Sequence, residues 1–200
     1  MGSNNVKAWG EAVLFSVLAF ALTYVTIPAG GYAIALAMLP LVFFSLRRGI
    51  LLGLVAGIVA GVVQFFVASG GSDILENIVT NIAPFAFVGI SGFFAKFTQR
   101  TLNNKRFSNA ALNIVTASFF GTIVYFVWKL VIDLFFQEAA ATGQGSAFEH
   151  YFRQDGISFL MTFAVTAVVL LIVAKVAPKA FIPRDSRFLS RKEKSKLLND

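Results

Sequence analysis

Six apolar runs, separated by short polar connections, constrain this chain more than any other feature. They cover about residues 10–27, 31–45, 49–68, 77–96, 110–136 and 156–177. A helix that crosses a bilayer needs about 20 apolar residues, with a range of about 17–25. The second run is short. It reads as a tilted helix, or as one that begins in a loop dipping inward. A backbone in hydrocarbon has no water to bond, so spanning segments of this length form helices. The expected fold is an all-α membrane protein: a six-transmembrane-helix bundle over residues 1–182, followed by a polar, basic tail over 183–200.

Composition narrows the chemistry. The chain has 200 residues, 57% hydrophobic and 14% charged, far from the balance of a soluble domain. No cysteine is present, which removes disulfides, thiolate nucleophiles and cysteine-based metal sites. His150 is the one histidine, so no histidine ligand cluster can form. No metal and no cofactor are expected. There is no GxxxxGK[ST], HExxH or GxSxG motif, so neither P-loop ATP hydrolysis nor a hydrolase is indicated. Transport or binding is favoured over catalysis. The rivals are a membrane assembly protein and an intramembrane enzyme acting through Asp133 or Asp155.

The net charge of +7 suggests nucleic acid until its placement is read. Lys7 precedes the first run, and Arg47 and Arg48 join the second to the third. Lys96, Arg100, Lys105 and Arg106 join the fourth to the fifth, and eight basic residues from Lys175 to Lys196 follow or end the sixth. The alternate connections carry one basic residue, Arg153, and several acids. By the positive-inside rule both termini are cytoplasmic. The positive charge marks topology and lipid contact, not nucleic acid.

Two runs carry small residues on one face. The first has Ala12, Ser16, Ala19 and Thr23; the third has Gly49, Gly53, Gly57 and Gly61 at strict intervals of four. Small faces let helices approach closely in lipid. The glycine row reads as close packing within the chain. The first stripe reads either as internal packing or as a docking face for another membrane protein.

Polar residues gather towards the ends of the runs expected to face outward. Candidate substrate-binding residues are Tyr32, Glu76, Asn77, Asn81, Tyr125, Trp128, Lys129, Asp133, His150, Tyr151 and Asp155. Lys129 and Asp133 share a helix face at i, i+4, inside an apolar run. Ionisable groups there usually face a bundle interior or a water-filled cavity. Carboxylates, amides and aromatics lining such a cavity suit a small polar ring compound. The alternatives are a structural ion pair near the interface, a solvated helix start at Glu76 and Asn77, and an exposed loop at His150 and Tyr151. The connection from Gln137 to Asp155 is long enough to act as a lid over such a cavity.

SLRRG at 45–49 followed by LVAGIVAGVVQ, APFAFVGISGFF at 83–94, YFVWK at 125–129, DGIS at 155–158 and PKAF at 178–181 carry a family resemblance. The chain resembles the substrate-binding S components of energy-coupling factor (ECF) transporters, most closely the thiamine-specific branch. The resemblance implies a six-helix bundle that binds a vitamin near the extracellular side. It implies an ECF coupling transmembrane subunit and two ATPase subunits as partners, with the coupling subunit docking on Ala12, Ser16 and Ala19. It places ligand contacts at Trp128 or Lys129, at His150 or Tyr151, and at Asp155. The pocket departs from the family pattern. Lys129 or Trp128 stands where a histidine is expected, Asp155 where an asparagine is, and Thr80–Asn81 where an acid followed by tyrosine is. A pyridoxine-type vitamin or hydroxymethylpyrimidine is therefore an alternative ligand to thiamine.

Overall fold

The computed structural model describes residues 3–25, 27–29, 32–68, 74–136, 147–190 and 193. The first apolar run forms α1 (Ser3–Thr23). Strands β1 (Ile27–Ala29) and β2 (Tyr32–Ile34) follow, then α2 (Met38–Arg48) and α3 (Ile50–Ala68). The fourth run is one long irregular helix in several parts. It comprises α4 (Ile74–Asn77), a π-helical turn (Ile78–Ile82), α5 (Ala83–Phe87), a 3-10 stretch (Val88–Phe94) and α6 (Ala95–Asn103). The chain continues with α7 (Phe107–Phe136), α8 (Ala147–Val176) and a 3-10 turn (Pro178–Phe181).

Among the described residues five helical segments, not six, are long and apolar enough to cross a membrane. The second run differs from expectation. Its first part is β2, which pairs with β1 ahead of it in an antiparallel hairpin, Ile27 with Ile34 and Ala29 with Tyr32. Only 11 residues remain for α2, about 16 Å at 1.5 Å per residue, half of an about 30 Å hydrocarbon core. The first run, read as reaching residue 27, is helical only to Thr23; Ile27 already lies in β1. Residues 147–155, read as loop, are the start of α8. The expected lid is thereby reduced to residues 137–146, which lie outside the described ones.

The short helix α2 is the centre of the bundle. Met38, Leu41, Val42, Phe44 and Leu46 are at most 1% exposed. They join one cluster with Ala56 and Ala60 of α3, Phe85 and Val88 of the fourth segment, Ile114 and Ala117 of α7, and Leu170 of α8. The hairpin ahead of it is fastened to α8. The Ala33 and Ala35 N–H groups donate to Ser158 Oγ (3.3 Å) and Thr162 Oγ1 (3.0 Å). Non-helical backbone is tolerated at membrane depth when protein groups satisfy it in this way.

The glycine row does what its spacing predicts. A Cβ on Gly57 would strike the Phe85 carbonyl and lie 2.8 Å from Ala86 Cα; one on Gly61 would lie 2.6 Å from Ile82 Cα. Across the contact, Gly89 and Gly92 leave equally little room against Gly53–Leu54 and Gly49–Ile50. Here two backbones touch directly, with no side chain between them.

Pro84 explains the π-helical turn. In an α-helix its ring would clash with the Thr80 carbonyl. The chain inserts one wide turn instead, in which the Ala83 N–H reaches Ile78 O, five residues back. Wide turns of this kind are a known cause of helix irregularity.

At one end of the bundle Arg47 and Arg48 both reach Glu11 of α1, at 2.9 and 2.7 Å, and Arg48 also holds Asp185 at 2.9 Å. Arg47 donates to the Ala180 carbonyl as well. The lower part of α1, the α2–α3 joint and the segment after α8 thus meet at the same end. Residues 183–190, read from the sequence as tail, belong with this packing: Pro183, Ser186 and Leu189 are buried. Ser186 donates to Gln99 Oε1.

Gly57→Ala is expected to lower the unfolding midpoint of the purified protein by the equivalent of about 1–3 kcal/mol, the usual cost of overpacking. Gly10→Ala, where an added Cβ meets nothing within 4 Å, is expected to leave it unchanged or raise it. A fluorescence-monitored thermal melt of both variants decides this.

Candidate functional site

The opposite end of the bundle gathers the polar residues. On α7, Lys129 Nζ lies 3.0 Å from Asp133 Oδ2, one turn away, and 2.7 Å from Asp155 Oδ1 on α8. Both acid side chains are 6% exposed and the lysine side chain 40%. The pair visible in the sequence is therefore a triad that ties two helices. One ammonium against two carboxylates leaves a formal charge of −1. Asp155 Oδ2 is buried with no hydrogen-bond partner among the described residues. A buried acceptor without a donor is costly, which sets this oxygen apart from the other acceptors of the triad.

The aromatic neighbours divide in role. Tyr125 is half-buried, with its ring 5.7 Å from Phe85 and 5.2 Å from Phe126. Trp128 turns towards the π-helical turn. Its ring packs edge-on to Phe87 at 5.1 Å, and its Nε1–H donates to Val79 O at 2.9 Å. The register explains this bond. Ala83 N–H takes Ile78 O, so the next carbonyl, Val79 O, faces Pro84, which has no N–H to give. Trp128 supplies the missing donor. Its N–H is thus committed to the scaffold.

The remaining expected residues fall around this centre. Asn77 is buried and accepts from Asn81 Nδ2 at 3.2 Å. Thr80 Oγ1 donates back to Glu76 O at 2.8 Å. Glu76 and Tyr32 are half-buried, Tyr32 at the inner strand of the hairpin. His150 and Tyr151 lie on α8, and their side chains are outside the described ones. Sequence reasoning missed Ser158 and Thr162, which fix the hairpin; hydroxyls at i, i+4 in an apolar helix were the available signal. Among the described residues no group of acids and histidines could hold a metal.

The docking stripe is corrected. Ala12, Ser16 and Ala19 are at most 1% exposed. Ser16 Oγ donates to Ala56 O of α3 at 2.8 Å, and Thr23 Oγ1 donates to Gln64 Oε1 at 3.3 Å. The small residues let α1 lie close on α3, and they face this chain's own interior. The outward face of α1 is instead Val13, Leu14, Val17 and Leu18.

A family described as thiamine transporter protein (Thia_YuaJ) matches residues 9–182. The chain belongs to that family. It is 26% identical over 189 residues to the thiamine transporter ThiT of Lacticaseibacillus paracasei, covering 91% of this chain and 94% of that one. It is 23% identical over 157 residues to the thiamine transporter ThiT of Bacillus subtilis, covering 78% and 81%. A solved structure of ThiT from Listeria monocytogenes has the same fold, with a TM-score of 0.83 at 24% identity over 90% of this chain and all of that one. The protein is a multi-pass transport protein of the bacterial cell membrane and not an enzyme. The resemblance seen in the sequence agrees with these matches.

Trp128→Phe is expected to keep the ring packing and strand Val79 O. The expected loss is about 1–3 kcal/mol of stability, the cost of an unsatisfied buried acceptor, read as a lowered unfolding midpoint. An unchanged midpoint would mean that the indole N–H contributes nothing there.

Proposed function

We propose that this chain is the substrate-binding S component of an ECF-type transporter and that it binds thiamine at the end of the bundle holding Lys129, Asp133 and Asp155. The observation that carries the reading is the excess of acid in that triad. Thiamine bears a fixed positive charge and an aminopyrimidine with N–H donors. A site of formal charge −1 with a buried, unpartnered carboxylate oxygen suits both. The lysine alone would repel such a ligand; a second acid, contributed by α8, reverses the sign. Tyr125, Trp128, Tyr32, Asn77, Asn81, Glu76, His150 and Tyr151 are proposed to complete the pocket. The relatives named as thiamine transporters support this choice of ligand.

In this reading the bundle crosses the membrane six times, with β2 and α2 together forming the second crossing. The three residues of β2 at about 3.3 Å each, and α2 at about 1.5 Å per residue, together reach about 26 Å, with the turn at 35–37 between them. That comes close to the about 30 Å core. The meeting of Glu11, Arg48 and Asp185 at one end supports an even number of crossings. The basic residues at that end favour the cytoplasm. The ligand site then faces outward, and uptake is driven by ATP through a coupling transmembrane subunit and two ATPase subunits. Hydroxymethylpyrimidine or a pyridoxine-type vitamin is the second reading. It is favoured by the partly exposed Lys129, which offers a donor to a neutral ring.

Isothermal titration of the purified chain with thiamine, hydroxymethylpyrimidine and pyridoxal is expected to show thiamine bound most tightly. Asp155→Asn brings the triad to neutrality. It is expected to weaken thiamine by tenfold or more, about 1.4 kcal/mol, and a neutral ring by less. Equal weakening of both would assign the site to a neutral ligand, and no binding by any of the three would overturn the reading.

A further inference from the structure

The arginine-rich end of the bundle holds a cavity of about 330 Å³, and nothing in the transport reading uses it. Its walls include Arg47, Arg48 and Arg187, together with Asp185, Leu52 and Phe188. The charges there are unequally spent. Glu11 takes bonds from both Arg47 and Arg48, and Asp185 takes two from Arg48. Arg187 has no carboxylate partner among the described residues; its guanidinium carbon lies 5.0 Å from the Phe188 ring centroid. Counting Glu11, which bonds two of the arginines, three cations face two anions and leave a formal +1.

The cavity is built to hold Arg187 in place. Gly49 sits beneath it at φ +89°, where a Cβ would lie 2.8 Å from Arg187 Nη2 and 2.8 Å from Phe188 Cζ. Only glycine permits both that backbone angle and that approach. The Phe188 ring lies against the guanidinium in a cation–π contact. The position of the cavity matters equally. Ala8 and Leu52 lie at the first turns of two candidate membrane spans, so the opening is level with the lipid head groups. Just beside it Leu51 and Val6 are exposed apolar surface along which an acyl chain can run.

We propose that this cavity binds the phosphate of an anionic phospholipid head group, with Arg187 as its main contact and Arg47 and Arg48 as the supporting field. Guanidinium groups are well matched to phosphate oxygens. Basic pockets between helices at the membrane boundary recognise such head groups. The lipid wedges between α1 and α3 at the point where the segment after α8 folds back over them. This site is separate from the vitamin end and independent of which vitamin is bound.

The test uses the full chain in zwitterionic lipid, with phosphatidylglycerol added. Native mass spectrometry is expected to retain one phosphatidylglycerol per chain in preference to phosphatidylcholine. Arg187→Gln, an exposed position that leaves the Glu11 and Asp185 pairs intact, is expected to reduce that retention about fivefold, the effect of one basic residue near an anionic leaflet. Arg187→Lys is expected to fall between them, and inorganic phosphate at the same concentration is expected not to compete. Equal retention by the parent protein and Arg187→Gln would overturn the assignment. Displacement by inorganic phosphate would show that the cavity takes a free anion and would overturn the lipid source. Thiamine titration of Arg187→Gln serves as the fold control and is expected to match the parent.

Discussion

In hydrocarbon every backbone N–H and C=O must find a partner inside the protein, since an orphaned group costs several kcal/mol. Among the described residues, three interruptions of regular helix each recruit a specific side chain. The hairpin borrows hydroxyls from Ser158 and Thr162. The wide turn before Pro84 borrows the indole N–H of Trp128. The C-terminal carbonyls of α2 at Leu46 and Arg47 are taken by Gln99 Nε2 at 3.0 and 2.7 Å. These bonds are long-range in sequence, so they also decide which helices are neighbours. The glycine contact between α3 and the fourth segment adds close packing to these bonds.

The spans were largely legible because their length and apolarity follow directly from bilayer thickness. The glycine row was legible too, since strict intervals of four demand close approach. What failed was the question of what approaches. Ala12, Ser16 and Ala19 give the same spacing whether the neighbour is α3 or another protein, and only the Ser16–Ala56 bond separates the cases. The second run left open a tilted helix or one beginning in a loop, because hydropathy does not distinguish a short hairpin from a helix. Gly30–Gly31, a two-residue turn signal, was the overlooked cue.

At the acidic end, the relation of Lys129 to Asp133 was readable from i, i+4 spacing alone. Asp155 could be flagged as a polar residue near that end. Its bond to Lys129 could not, because it depends on α7 lying against α8. That bond changes the sign of the site, which shows how one tertiary contact can alter what a local motif implies. The two ends of the bundle therefore carry opposite surpluses. One holds more arginine than acid and the other more acid than lysine.

The short central helix has a consequence for how the protein is made. An insertion machine that releases segments into lipid according to their own apolarity has little hold on eleven residues ending in two arginines. Apart from those with α1, the contacts that keep α2 in place come mostly from the fourth segment, α3, α7 and α8, which are synthesised after it. Its final position is thus decided late, when the rest of the chain closes around it.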